Sequence, residues 1–219
     1  MRTRAKPQPD AKIERFTDLL GLLSARFARI SHPEIDAEIT HWLGRVCCSL
    51  RLDRSVVAEY VESKKDFYIT HQWTRQGFPQ EPAPMLAASG LVPWIVSRVS
   101  AGETVALSGV RALPPEAEQE RNLMMRLDGP KAMLDMPLII GSRMVAAITF
   151  EDLHGDRKWP SPLVGRLRLV ADIFANALER KRNPGPTERH SSSPFQRQAT
   201  SEDHGHKDQC DAAPGRGGG

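Results

Sequence analysis

The sequence predicts an α+β domain with an antiparallel sheet, and three observations lead to this fold class. Residues 133–150 hold two apolar runs separated by Gly141-Ser142, which is typical of a hairpin inside a sheet. Residues 55–62 and 66–74 are rich in strand-forming side chains and flank a short polar turn. Amphipathic patterns at 11–30 and 161–182 predict a helix at each end. This order of elements favours helices gathered on one face of the sheet.

Composition limits the folded part to one domain. The chain has 219 residues and is 40% hydrophobic, yet residues 1–10 and 183–219 contain no Leu, Ile or Val. Segments without such side chains cannot bury enough apolar surface to fold. We therefore predict disorder at 1–10 and at 183–219, and a folded region between them.

Charge and hydropathy exclude two classes of partner. The net charge is +3, from 30 basic and 27 acidic residues, and the sequence shows neither a basic stripe nor a recognition helix, so we expect no nucleic acid. No run approaches the ~18 apolar residues of a membrane span, so we expect no membrane contact and a cytoplasmic protein.

The first half of the chain is predicted as two helices and two strands. A helix over 11–30 has apolar residues at steps of three and four, and Ser31 with Glu34 forms a capping box before a second helix that begins at Ile35. The strand at 66–74 should expose alternate residues on opposite faces. This pattern predicts one face with Phe67, Ile69, His71 and Trp73, and another with Tyr68, Thr70 and Gln72.

The second half is predicted as short helices followed by the hairpin and a long helix. A helix over 90–100, a strand over 103–108 and a helix between Pro114 and Gly129 precede the hairpin. Pro137 lacks a backbone N–H, so it should lie at a bulge or where its nitrogen faces away from the neighbouring strand. The helix at 161–182 has heptad-like spacing, and Asn183 with the following Pro-Gly ends it.

Nine short segments and three single residues, taken in order, resemble the GAF domains in the input region of bacterial sensor histidine kinases. The resemblance covers roughly 19–182. The matching segments are LLGLLSARF at 19–27, EIDAEITHWL at 34–43, LDRSVVAEY at 52–60, ITHQW at 69–73 with Gly77, PWI at 93–95, AGETV at 101–105, LPPEA at 113–117 with Arg121, Gly129, MPLIIG at 136–141 and LRLVADIFANALERKR at 167–182.

The resemblance implies an antiparallel sheet of about five to six strands. The N- and C-terminal helices would pack on one face, and short helices and loops would cover a pocket on the other. It assigns 11–30 to a signalling helix and 31–182 to the GAF domain. The chain departs from the family at Ala146, where Gly is usual, and near Ala132, where Ser is usual and this chain also has Pro130.

Several activities of this family need residues that the sequence lacks. No cysteine lies between Cys48 and Cys210, which argues against a covalent bilin and against cysteine-based methionine sulfoxide reduction. His190 is followed by serines rather than by a phosphoacceptor motif, and no Gly-rich ATP-binding segment is present, so we expect no enzyme activity. Cyclic nucleotide stays open, because Asn122, Asp128 and Lys131 lie in the relevant neighbourhood.

The resemblance also implies a ligand pocket, with an unidentified small ligand and no metal. Its candidate residues are Tyr68, Thr70, His71, Trp73, Trp94, Arg121, Met124 and Asp135.

Each candidate also has a structural interpretation. His71 would be a hydrogen-bonded strand residue, since the sequence shows no second metal ligand at suitable spacing. Trp73 and Trp94 would be core, and Arg121 would form an ion pair with a nearby glutamate. Asp135 interrupts an apolar strand, so it either faces solvent or provides a polar anchor in the pocket.

These expectations combine into a non-catalytic sensory module. Helices 11–30 and 161–182 would pair with a second copy to form a homodimer, and a histidine kinase or response regulator would be the downstream partner. Two alternatives stay open: a fragment of a histidine kinase whose transmitter is absent from this chain, and an adaptor or relic that binds no ligand.

Overall fold

The computed structural model describes residues 11–78, 80 and 88–183, with side chains described from Phe16 onward. The disorder predicted for 1–10 and 183–219 therefore lies outside the described residues, apart from Asn183. Within the described part, the α+β prediction is confirmed.

The described strands form one antiparallel sheet of five strands, in the order β2-β1-β5-β4-β3. Its strands are β1 (Arg54–Val61), β2 (Asp66–Thr74), β3 (Val105–Leu107), β4 (Ala132–Ile140) and β5 (Arg143–Asp152). The predicted hairpin is the β4–β5 pair, and it turns at Gly141, whose φ of 61° lies in the left-handed region that glycine tolerates.

In the described part of the chain, six α-helices are divided between the two faces of the sheet. They are α1 (Ala11–Phe27), α2 (Ile35–Leu50), α3 (Ala88–Leu91), α4 (Pro93–Ser100), α5 (Glu118–Arg126) and α6 (Ser161–Arg182). The predicted capping box before α2 is present: Ser31 N donates to Glu34 Oε2 at 3.0 Å. The bounds of α6 match the prediction.

The larger core joins α1, α2 and α6 to one face of the sheet, which we call the helix face. Phe27 and Phe174 meet there, with ring centroids 5.4 Å apart. Each fully buried large apolar side chain contributes ~1.5–3 kcal/mol, so this layer supplies much of the stability. Its fully buried members include Phe16, Leu23, Ile39, Leu43, Leu134, Met136, Leu138, Ile148, Phe150 and Phe174.

A smaller core covers the opposite face, which we call the open face. It combines residues of β2, β3 and β4 with residues of the short helices α4 and α5. Its buried members are Phe67, Ile95, Val99, Val105, Leu107, Leu113, Ala117, Met124 and Met133. The terminal helices and the short helices thus lie on opposite sides of the sheet, as the resemblance implied.

A β-bulge in β2 changes the predicted alternation of that strand. Val57 pairs with His71, whereas Ala58 pairs with Ile69, so Thr70 is an extra residue without a counterpart in β1. Phe67 and Ile69 consequently lie on the open face, while His71 and Trp73 turn to the helix face. The expectation that all four share one face was wrong, because sequence alternation does not reveal an inserted residue.

Pro137 lies in the part of β4 that extends beyond β3. Its carbonyl accepts a hydrogen bond of 2.8 Å from Arg168 Nη1, so its backbone polar groups point away from β5. They point to the opposite edge of β4, where β3 pairs only with residues 133–135. The N–H that proline lacks is therefore not needed by a neighbouring strand, as predicted.

Candidate functional site

Polar side chains are concentrated in two cross-strand rows of the open face. In an antiparallel sheet, directly paired residues project from the same face, so the register defines each row. We call these the polar rows. The first consists of Thr74, Arg54, Glu151, Met133 and Leu107, and the second of Gln72, Val56, Thr149, Asp135 and Val105.

Asp135 is the most unusual group in these rows. Its side chain is only 4% exposed, and Oδ1 accepts a 2.6 Å hydrogen bond from Thr149 Oγ1. Oδ2 is buried and has no hydrogen-bond partner among the described residues. Burial raises the pKa of Asp135 to about 7; the Thr149 hydrogen bond opposes this rise and the charge of Glu151 adds to it. Asp135 is therefore not solvent-exposed, and its role as a polar anchor stays a prediction.

Arg54 and Glu151 form a buried ion pair next to Asp135. They are direct neighbours on β1 and β5, and Arg54 Nε donates to Glu151 Oε2. Both side chains are almost fully buried. Removing two charges from water costs several kcal/mol each, and their attraction offsets this cost only when the geometry is good. A buried pair of this kind is weak evidence for stability. It places two opposite charges beside Asp135, inside the sheet.

Glu120 is a further buried carboxylate, and it lies in the layer that covers the open face. Its Oε1 accepts hydrogen bonds from the backbone N–H of Trp94 at 2.6 Å and of Ile95 at 3.4 Å, and so caps the start of α4 from α5. An anionic acceptor at a helix N-terminus is favoured by the helix dipole. Oε2 is buried and has no partner among the described residues.

Unpartnered buried polar atoms gather on this side of the sheet. Among the described side chains, four such atoms occur, and three belong to Asp135, Glu120 and Thr74. The fourth is Nε of Arg157. Because buried polar groups in native proteins are normally hydrogen-bonded, this concentration is the most unusual polar feature of this side of the sheet.

The structure places three of the predicted pocket residues on the open side. Asp135 lies in the polar rows, Met124 is buried in the smaller core, and Trp94 packs against that core while half-buried. Arg121 lies on the same helix as Met124, and its Nη2 donates to the backbone carbonyls of Leu113 at 2.7 Å and Pro114 at 3.0 Å. The glutamate ion pair expected for Arg121 is thus replaced by hydrogen bonds that hold the preceding loop.

The β2 candidates lie away from the polar rows, and the bulge accounts for the positions of His71 and Trp73. His71 is buried and interacts through Nε2 with Asp36 Oδ1 at 2.9 Å and through Nδ1 with Thr70 Oγ1 at 2.8 Å, which agrees with its interpretation as a hydrogen-bonded strand residue. The Lys64 ammonium forms a cation–π contact with Tyr68, at 4.7 Å from its ring centroid.

Trp73 packs against α2 on the helix face. A Cβ at Gly44 would lie 2.7 Å from its indole. Trp73 is therefore separated from the polar rows by the sheet. Which of the predicted residues contact a ligand stays a prediction.

Sequence reasoning missed Arg54, Glu120 and Glu151. In the sequence, Glu151 follows the apolar run of β5 and Arg54 follows the pattern of α2, so neither residue stands out from its neighbours. The signal that could have identified them is their pairing: opposite charges at the ends of two strands that the fold places side by side.

One group of possible metal ligands occurs among the described residues, at Asp53, Asp152 and His154, whose ligand atoms lie within 4.8 Å of one another. Asp53 Oδ1 already accepts from Arg75 Nε at 3.0 Å, and Asp152 Oδ2 from Arg157 Nη1 at 3.3 Å. The two guanidinium groups balance both carboxylates, so this geometry does not favour a cation. The absence of a metal remains a prediction.

None of the helices in the described part of the chain is long and apolar enough to cross a membrane.

Comparisons with solved structures find the same fold. The chain is similar to the GAF domain of a phosphoenolpyruvate-protein phosphotransferase from Coxiella burnetii, with 13% identity, a TM-score of 0.61, and coverage of 78% of this chain and 96% of that one. It is also similar to the phycoerythrobilin-bound GAF domain of a cyanobacterial phytochrome, with 11% identity, a TM-score of 0.62, and coverage of 76% and 96%.

A third similar structure is an enzyme, the free methionine-R-sulfoxide reductase from Neisseria meningitidis in complex with its substrate. It shares 12% identity and a TM-score of 0.60, with coverage of 83% of this chain and 98% of that one. No protein-family model matches the chain, and neither does a curated protein sequence. Identities this low establish the fold and not the activity. The chain has the fold of a GAF domain, as its sequence motifs predicted.

Proposed function

We propose that this GAF domain is a non-catalytic sensory module that binds a small molecule at the polar rows. The unpartnered Oδ2 of buried Asp135 is the observation that carries this function. A buried polar atom without a partner costs roughly 1–3 kcal/mol, and a bound ligand that donates a hydrogen bond would recover that free energy. The bilin-bound GAF domain among the similar structures is an example of this fold holding a small molecule.

The positions of the cysteines support a role without catalysis. Cys47 is buried in the larger core on the helix face, and burial raises the pKa of its thiol. A thiol held neutral is a poor nucleophile. No cysteine lies between Cys48 and Cys210, so the five strands that form the polar rows contain no cysteine. These facts favour a ligand held without a covalent bond.

Transmission would run through the C-terminal turn of α6. Lys181 Nζ lies 2.7 Å from Asp36 Oδ1, the same oxygen that faces His71, and His32 Nε2 lies 2.6 Å from the Lys181 carbonyl. Arg182 donates to Glu59 at 2.9 Å. These contacts tie the end of α6 to α2, β1 and β2. A ligand that favours one arrangement of the sheet would therefore change the population of α6 orientations.

The output surface would be a dimer formed by α1 and α6, which pack against each other on the helix face. Leu22 on α1 is 57% exposed and Leu169 on α6 is 52% exposed. A second copy would cover these side chains and extend the helix pair into a bundle. A histidine kinase or a response regulator would then respond to the arrangement of the helices in the bundle.

A ligand screen by thermal melting tests the proposed function. The full chain would be melted with nucleotides, small aromatic compounds, amines and organic acids, because a ligand that binds only the folded state raises the melting temperature once its concentration exceeds its Kd. We expect at least one class to raise it progressively with ligand concentration. If no compound does so, the ligand-free adaptor becomes the better description. Incubation with labelled ATP tests the histidine-kinase alternative, and we expect no autophosphorylation.

A further inference from the structure

We infer that the ligand is a small organic cation whose ammonium, amidinium or guanidinium group is bound by Asp135 at the polar rows; this inference rests on the proposed function and names the ligand class of that same site. Three observations support it: the balance of buried charge, the unpartnered acceptor atom of Asp135, and the apolar surroundings of Asp135.

Buried charge on the open side is predominantly negative. The polar rows contain Asp135 and Glu151, and Glu120 lies in the layer above the sheet. Arg54 is the buried cation of these rows, and it is paired with Glu151. The two carboxylates of Asp135 and Glu120 therefore have no cationic partner among the hydrogen bonds and ion pairs described for them. In a region of low dielectric, an added cation would be strongly attracted and an added anion repelled.

The unpartnered atoms require donors rather than acceptors. Oδ2 of Asp135 and Oε2 of Glu120 are carboxylate oxygens, which accept hydrogen bonds when ionised. A phosphate or a carboxylate ligand would bring further acceptors and would leave Oδ2 of Asp135 unsatisfied. An ammonium, amidinium or guanidinium group brings several N–H donors with its charge, so it satisfies the need for donors and the need for charge at once.

The surroundings of Asp135 favour a cation with an apolar body. Its neighbours in the sheet are Val105 on β3 and Thr149 on β5, and Met133 precedes it by two residues on the same face. Val105 and Met133 belong to the smaller core, together with residues of α4 and α5. Burial raises the pKa of Asp135 to about 7, so the carboxyl is close to half ionised at neutral pH and a bound cation would complete its ionisation.

Three isosteric probes separate charge from shape. Benzamidine, benzamide and benzoate share one aromatic ring and differ in the charge of the attached group. Phenethylamine and agmatine extend the cationic set, and phenyl phosphate extends the anionic set. Binding of each to the full chain would be measured by thermal melting and by isothermal titration. We expect cationic probes to bind and the neutral and anionic ones to bind at least about tenfold more weakly, a difference of ~1.4 kcal/mol.

Two variants identify the residue responsible. Asp135→Asn keeps the shape of the side chain and removes its charge, and we expect it to weaken the binding of the cationic probes by about tenfold or more. The matched control is Asp172→Asn, at an exposed position on α6, which should bind like the unaltered protein. A melting curve without probe shows whether Asp135→Asn folds. If it does not fold, Glu120→Gln provides the second test of the same charge balance.

The outcomes distinguish this inference from the proposed function. Equal binding of benzamidine by the protein and by Asp135→Asn would overturn the inference, and so would preferential binding of benzoate or benzamide, while either result would still support a ligand-binding module. If no probe of any charge binds, and the wider screen is also negative, the proposed function fails and the inference fails with it.

Discussion

The imidazole Nε2 of His71 lies 2.9 Å from Asp36 Oδ1, so a strand residue of β2 is held by the first turn of α2. This contact is possible only because the bulge at Thr70 turns His71 to the helix face. The same bulge leaves Phe67 on the open face, in the smaller core. One inserted residue therefore lets a single strand contribute to both cores.

Deleting Thr70 should destabilise the domain strongly. Without the extra residue, β2 would alternate without interruption, and either Phe67 or His71 would have to move to the wrong face. We expect a loss of more than about 3 kcal/mol in the free energy of unfolding, measured by urea denaturation. Thr70→Ala keeps the length of the strand and removes only the hydroxyl, so it should cost about 1 kcal/mol. A deletion variant as stable as Thr70→Ala would contradict this role of the bulge.

Gly44→Ala should be destabilising although alanine is the better helix former. The added Cβ would lie 2.7 Å from the indole of Trp73, which packs against α2. Displacing that ring should cost about 1–3 kcal/mol, measured as a lower urea midpoint. Gly21→Ala in α1 is the matched control, because a Cβ there meets no atom within 4 Å and the substitution should stabilise the helix by up to ~1 kcal/mol. Equal shifts for the two variants would contradict the close contact.

Asp135→Asn should change the pH dependence of stability. The pKa of Asp135 is about 7 in the folded protein and roughly 4 in an unfolded chain, so the folded state binds more protons between these values. Stability from this group is fully present below pH ~4 and is lost as the pH rises through about 7. At pH 8 the asparagine variant should therefore be more stable than the unaltered protein, by about 2–4 kcal/mol.

This advantage of Asp135→Asn should shrink toward pH 5, where the carboxyl is neutral in the folded protein. Denaturation midpoints at pH 5, 6, 7 and 8 provide the measurement. Asp172→Asn, at its exposed position, should show no such trend. A constant difference between Asp135→Asn and the unaltered protein across this range would show that Asp135 does not titrate as its burial requires.

Charged substitutions on α1 and α6 should separate the proposed dimer. Leu22→Glu with Leu169→Glu places carboxylates on the exposed apolar side chains of the two helices, and we expect a monomer in size-exclusion chromatography with light scattering at tens of micromolar. Met125→Glu is the control, since Met125 on α5 is 71% exposed but lies on another helix. Dissociation by Met125→Glu, or a protein that is monomeric without any substitution, would contradict assembly through α1 and α6.

Much of the fold could be predicted from the sequence, because its strongest signals are local. The β4–β5 hairpin and α6 were predicted closely, since a Gly turn between two apolar runs and a capped amphipathic pattern do not depend on distant residues. The face of Trp73 could not be predicted. It depends on the pairing of β2 with β1, and the inserted residue is visible only when both strands are in register.

The candidate site was predicted only in part. Asp135 stood out because a carboxylate within an apolar strand is unusual. Arg54 and Glu151 lie 97 positions apart in the chain, and they become neighbours only through the β1–β5 pairing. Glu120 resembled a surface residue in a polar helix segment, and its role as the cap of α4 follows from a contact 26 residues away.

The contact between Arg168 and Pro137 protects an edge of the sheet. β3 is only three residues long and leaves the later part of β4 open on that side. At Pro137, a carbonyl group of an incoming strand from another molecule would find no N–H donor. An N–H group of that strand would meet a carbonyl that already accepts a hydrogen bond from the Arg168 guanidinium. This position therefore opposes strand addition and amyloid-like aggregation at this edge of the sheet.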